Sequence, residues 1–567
     1  MKKHYYLIKY FILFFLVVRI LYSETPSNTS GSNDFLTYGV GIFISANGSD
    51  YYEGIKERPF RTFKKALEYS KISGKKNIFV DSGTYFIDST LSITQDVEIF
   101  GAPYWKEVGS SAGETVIESW ESFAKGEDLF HVTNASLILK DITVNDPYKH
   151  FQNIFLLENG SLICDRVNIC YSALYQSTAI RQKGGKLELA NSRIKAEGVL
   201  DSEAISCSNS IVQLSQLEME GPLNCGGFTA MTFLADSSVT CEQINLLLGQ
   251  GKKLKGIVLE ASRLLLNNST MDAGESTEES VCIETRTATL SVTKTNFICK
   301  NIPYKVKAIN SFESKIKVHN TIFNLKAIAG LQTIYLNKGS IDLQNSYFHN
   351  NDTLEYLYAV NLEYAQGSCS NNIIESGKSS DAVNIMLSNS NTRWLNNTII
   401  GGNGNNITVG FLIRGSIYPV IVNNILSRKT PAKGIAFYLL DYEEKSFYLL
   451  ANNISGWEIF LKYTNVPKSK SYTAINTVIK TIEELNHYDL VPFGGTIDIN
   501  MSEEYENTFQ PTDAAVYGLR ATSRCIDAGL DVNTQQFQGP TSDYLGKPRP
   551  NPKGAKYVYD IGAFEFN

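Results

Sequence analysis

The sequence predicts an all-β fold, a single-stranded parallel β-helix of about 13 recognisable coils closed at its start by an α-helical cap. Three observations carry that reading. A short pattern recurs at a nearly fixed spacing, its apolar residues alternate two by two, and the intervals are too short for crossover helices. Strong copies begin at Leu137, Leu162, Leu187, Val212, Val239, Leu264, Leu290, Ile316 and Ile341, and weaker ones at Gly367, Thr392, Pro419 and Tyr448. The steps average about 26 residues, the mark of a solenoid, which grows by stacking rather than by adding domains. At roughly 4.8 Å per rung, thirteen coils make a rod about 60 Å long.

In chain order, Met1-Lys2-Lys3-His4, an apolar run from Tyr10 to Val18 and the small Ser23 read as a signal peptide over 1–23. The run is too short to span a bilayer, and no later segment reads as transmembrane, so an exported protein, secreted or held at the cell surface, is expected. Residues 24–38 read as a flexible spacer and 39–89 as an N-terminal capping module. In that module the apolar positions after Pro59 share one helical face, predicting a helix over 59–73 stopped at Gly74. Such a helix hides the open edge of the first coil. The solenoid proper is expected over 90–455, with irregular last coils and a closing segment over 456–567.

Within each copy the slot two residues after the start points inward: Leu139, Leu189, Leu214, Leu266, Val292, Val318 and Leu343. Cys164, Cys241 and Cys369 occupy the same slot and read as buried apolar substitutes. Cys164 with Cys170, and Cys207 with Cys225, remain open as pairs. The doublets at Asn267-Asn268, Asn371-Asn372, Asn396-Asn397, Asn423-Asn424 and Asn452-Asn453 fall at turns and are expected to stack as an amide ladder, a carbohydrate-contacting row being the alternative.

Two terminal blocks carry a resemblance. Phe43-Ile-Ser-Ala-Asn-Gly-Ser-Asp50, Arg58-Pro-Phe-Arg-Thr-Phe-Lys-Lys-Ala-Leu67 and Ile78-Phe-Val-Asp-Ser-Gly-Thr-Tyr85 resemble the entrance module of exported bacterial parallel β-helix proteins of the pectin-lyase-like superfamily. Ser523-Arg-Cys-Ile-Asp527-Ala-Gly529 and Asp560-Ile-Gly-Ala-Phe-Glu565 resemble their closing segment, with Arg524 where that segment has Pro. The resemblance implies a right-handed helix, and a superfamily that includes polysaccharide lyases and hydrolases.

Loss of Lys2, Lys3, Lys9 and Arg19 with the leader leaves 48 basic against 58 acidic residues. No basic stripe is present, which argues against nucleic acid and against an anionic polysaccharide held by charge alone. Some of the 31 Tyr on an extended surface are available to stack on sugars. A hydrolase needs paired carboxylates facing one cleft. The slot four before each start reads Glu158, Lys183, Ser208, Ala235, Glu260, Arg286, Phe312, Asn337 and Glu363, without acids on consecutive coils, and the Asp-Asp and His-Gly signatures of the polygalacturonase branch are absent. The sequence therefore points to a non-catalytic binding or adhesive protein whose partner is a polysaccharide or an extracellular protein. It singles out no catalytic, cofactor-binding or metal residue. The alternative is a lyase or hydrolase, with calcium possible, built from loops at 101–125 and 456–510 and from acids such as Glu503 or Glu506.

Overall fold

The computed structural model describes residues 41–566 except 106–112, 149–150, 174–176, 199–200, 416–418, 429–431, 442–447, 466–474, 488–495, 499, 511–516, 533–536 and 550–558. The expected signal peptide and spacer lie outside the described residues. The chain winds as a parallel β-solenoid of about 13 turns, whose successive turns pair in register along three faces, termed the first, second and third sheets, with many strands bending from the third into the first, as in Lys305–His319. In the first sheet Leu139, Cys164, Leu189 and Leu214 stack in register, and the row continues through Leu266, Val292, Val318 and Leu343. All are at most 2% exposed, as the alternation predicts. In the second sheet Phe297, Phe323 and Phe348 stack at 4.9 and 4.6 Å. Leu343→Ala is expected to cost about 2–5 kcal/mol in unfolding free energy through lost burial and a cavity. Asp342→Ala, on the outer side of the same strand, should cost well under half as much; equal losses would mean the register is wrong.

The fading of the repeat has local causes. Gly367 sits at φ +130°, where a Cβ would overlap the Ile341 carbonyl oxygen. Thr392 faces inward because the buried Trp394 indole N–H donates to its Oγ1 at 3.0 Å. All nine cysteines are free, so neither candidate disulfide forms; Cys164, Cys241 and Cys369 are buried as expected.

Between the first and second sheets the chain turns through one left-handed residue per coil, among them Asn371, Asn396 and Asn423 at φ 54–58°. The next residue points inward. In late coils it is Asn372, Asn397, Asn424, Asn452 and Asn500, each of the first four donating from its backbone N–H and its Nδ2 to the Oδ1 of the next. The expected ladder is therefore internal. Asn267 and Asn268 are not in it: both amides donate to the Glu242 carboxylate, while Ser269 takes the inward place.

The N-terminal cap comes down to one small helix, α1 (Phe63–Ser73), which buries Phe63, Ala66, Leu67 and Ser70. It begins later than Pro59 because the Thr62 hydroxyl caps it by accepting from the Lys65 N–H, and it stops at left-handed Gly74. The described residues of 518–566 pack along the side of the rod. Asn371, Asn396 and Asn423 donate to the carbonyls of Ser542, Asp560 and Leu530, and Ile561 and Ala563 cover Ile373, Ile400 and Ile425. Asp560 accepts from the Asp527 and Phe566 N–H groups, a locking role.

Candidate active site on the third sheet

The third sheet faces outward through two rows on either side of a buried pair. In most coils a small residue and a large one are both turned in, as at Ala179-Ile180, Ala204-Ile205, Ala230-Met231 and Ala308-Ile309. The pairing passes over the small member, as between Glu203 and Ile205. This doublet shifts the alternation by one, so Glu203, which simple alternation from Ser208 would turn inward, lies on the outer face.

Glu203 stacks between Thr178 and Thr229, with Lys255 the next member of the row. Asp201, exposed, lies two residues back beside Gly227, where a Cβ would come within 2.9 Å of Asp201 Oδ1. The bare glycine leaves that carboxylate its space. Arg181 donates from Nη2 to Thr178 Oγ1 at 2.9 Å. Thr178, Arg181, Asp201, Glu203 and Thr229 line a cleft of about 270 Å³, which adjoins a second of about 470 Å³ carrying Lys253, Lys255 and Glu278. Burial pushes the Glu203 carboxyl above the usual carboxylate range; hydrogen bonds from Thr232 and Ser206 and the charge of Arg181 pull it only part of the way back. A carboxyl whose pKa is raised by burial, with a second, exposed carboxyl two residues away, is an arrangement suited to acid–base chemistry.

A larger cavity of about 540 Å³ opens at the corner of the second and third sheets, but most of its charged groups are engaged. Lys195 pairs with Glu197 at 2.6 Å, Arg193 with Glu220 at 2.7 Å, and Asp272 accepts from the Gly274 and Lys300 N–H groups. The sequence-expected loop acids do not form a site. Glu503 is buried and accepts from Ser523 Oγ and from the Arg524 N–H at 2.8 Å. Proline has no N–H, so Arg524 makes a bond that the Pro of the resembling segment could not. Glu506 is exposed on a single helical turn, Tyr505–Thr508. Among the described residues no three His, Cys, Asp or Glu are grouped to hold a metal ion, and no helix is long and apolar enough to cross a membrane.

The four-before slot also proves to be only one of the outward rows. Glu158 there pairs with His131 at 3.3 Å and Lys183 at 3.8 Å, and Leu234 rather than Ala235 occupies its fourth coil, because Ala235 and Asp236 both turn left-handed. Glu203 and Asp201 lie five and seven residues before Ser208, outside that test. The recurring small–large doublet was the signal that could have found them.

The geometry defines a parallel β-solenoid with an acidic cleft on one face. No protein-family model matches the chain. It is 28% identical over 172 residues to the uncharacterized protein YwoF of Bacillus subtilis, a match covering 30% of this chain; the chain spans about a third (35%) of that relative's length. Among solved structures it is similar to a rhamnogalacturonan lyase, with TM-score 0.32, 13% identity and coverage of 59% of this chain and 81% of that one. It is also similar to the catalytic domain of an α-1,3-glucanase in complex with tetrasaccharides (0.32, 12%, 62% and 64%). A third is the A-module of a mannuronan C-5 epimerase from Azotobacter vinelandii (0.29, 10%, 62% and 90%). These structures are carbohydrate-active enzymes, which overturns the expectation that a chain of this kind is not an enzyme. Scores near 0.3 carry over no reaction and no residue role.

Proposed function

We propose that this protein is an exported polysaccharide-acting enzyme that lays its substrate along the third sheet and cleaves it hydrolytically at Glu203 and Asp201. The observation that supports this reading is the half-buried Glu203 carboxyl, raised by burial, two residues from the exposed Asp201 in an open cleft. In this reading Glu203 gives its proton to the glycosidic oxygen as the C–O bond breaks. Asp201 takes a proton from the water whose oxygen bonds to the anomeric carbon. Arg181 and Lys255 orient hydroxyls on either side. Export follows from the basic, apolar, small-residue order of 1–23, and N-terminal sequencing of the native protein should begin near Glu24.

The test is a purified-protein screen against neutral and uronate-containing polysaccharides, with and without calcium, following new reducing ends and unsaturated products. Reducing ends are expected from the native chain, with kcat lowered about 10²–10⁴-fold in Glu203→Gln. Because the folded pKa of Glu203 is raised, the acid stays protonated at higher pH than a free carboxyl, and activity should fall as pH rises through that raised value. Unsaturated products, or turnover unchanged in Glu203→Gln, would overturn the assignment.

A further inference from the structure

Four to six rungs along the same face from the Glu203 cleft, about 19–29 Å at 4.8 Å per rung, the third sheet changes character. Asn310, Tyr335 and Asn361 stack on three successive coils of one outward row. Asn310 and Asn361 are only 8% and 7% exposed, yet the Oδ1 of each accepts no hydrogen bond. The Tyr335 hydroxyl between them in the row is committed elsewhere, donating to Glu363 Oε2 at 3.0 Å, as does Asn337 Nδ2 of the neighbouring row. Buried amide acceptors are rarely left unpaired, since desolvating them without a partner is costly. A donor arriving from outside the chain resolves the deficit, and a side-chain amide, turning about its last bond, offers either its oxygen or its nitrogen.

Aromatic rings flank the row. Tyr356 lies over Gly330, where any side chain would collide with its ring. Its ring is 5.6 Å from that of Tyr358, and the Lys305 ammonium lies 5.6 and 5.9 Å from the rings of Tyr304 and Tyr356. Rings beside amides suit a ligand with apolar C–H faces and many hydroxyl donors. The charges argue further about its class. Lys253, Lys255, Lys305 and Lys307 pair with Glu278, Glu284, Glu355 and Glu279 at 2.7–3.7 Å, so these cations are already neutralised rather than held open for carboxylates.

We propose that this stretch is a binding platform for uncharged hexose units, resting on the reading of the Glu203 cleft for the polysaccharide that it continues. The amides of Asn310 and Asn361 pair with sugar hydroxyls, and Tyr356 stacks on a ring. The protein's substrate is accordingly a neutral polysaccharide, held at the platform and cut at the cleft.

Binding is measured by calorimetry on the full mature chain carrying Glu203→Gln, with soluble glucan, galactan and mannan against polygalacturonate and alginate. Binding to at least one neutral polymer is expected. Asn361→Ala and Tyr356→Ala, each added to that chain, should weaken Kd about tenfold, the size of one lost contact. Asn361→Ala removes an unpaired acceptor, so its melting temperature should be no lower than the parent's, which separates lost binding from lost folding. Binding to acidic polymers alone, or a Kd unchanged in both variants, would overturn the platform, while release of reducing ends by the native chain would leave the Glu203 assignment standing. Neutral-polymer binding that Asn361→Ala weakens, with no turnover by the native chain, supports the platform and overturns the catalytic reading instead.

Discussion

Arg549→Leu is expected to destabilise the protein by about 3–5 kcal/mol and to loosen the closing segment from the side of the rod before the solenoid itself unwinds. The Arg549 side chain is fully buried and donates to Glu565 Oε1 at 2.9 Å, to the Asp560 carbonyl at 3.2 Å and to the Gly562 carbonyl at 2.8 Å. Asp543 and Asp560 add two more buried carboxyls: Asp543 Oδ2 accepts from the Glu565 N–H, and Asp560 Oδ2 from the Phe566 N–H. Three carboxyls thus share one guanidinium. Burial, more than the mutual repulsion, pushes Glu565 up to about 7 and raises Asp560 as well, against the pull of Arg549. Between about pH 4.5 and 7 the folded chain keeps a proton on Glu565 that the unfolded chain has released, so native stability should fall as pH rises through that window. The leucine variant should lose more at pH 8 than at pH 5, because the orphaned carboxyls can stay protonated in acid. Denaturant unfolding at both pH values, with limited proteolysis to locate the first cut, checks this; equal losses at both would exclude charge as the cause.

Asn397→Leu should cost about 2–5 kcal/mol despite adding apolar bulk to a buried site. Asn397 Oδ1 accepts from both the backbone N–H and the Nδ2 of Asn372, and its own Nδ2 donates to the Cys369 carbonyl at 3.0 Å and to Asn424 Oδ1 at 2.9 Å. Leucine removes the middle of that chain and leaves the Asn372 N–H and the Cys369 carbonyl in a dry corner, each costing about 1–3 kcal/mol. Asn397→Ser should recover part of the loss, since Ser346 fills the same slot one coil before Asn372, its hydroxyl donating to the Gln344 carbonyl and accepting from the Thr321 N–H. Unfolding free energies of the two variants decide it. A leucine variant as stable as the native chain would show that the ladder is dispensable.

The solenoid, its inward slots and the burial of Cys164, Cys241 and Cys369 are legible in the residues alone, because a strand shows its register as strict alternation and stacking repeats that alternation coil after coil. Leu343 and Asp342 are told apart by parity without any structure. Glu203 is not told apart by parity, because the inward doublet Ala204-Ile205 breaks the alternation just ahead of it; the doublet is visible in the residues, but its burial comes from the packing of neighbouring coils. The same holds wherever the partner is distant in the chain. Asn267-Asn268 and Asn396-Asn397 look alike as doublets, yet the first grips the exposed side of Glu242 and the second divides between the inner ladder and the carbonyl of Asp560, 164 residues away. Alternation is a local property carried by each strand, whereas which face is covered, and by what, is settled by contacts that no local pattern encodes.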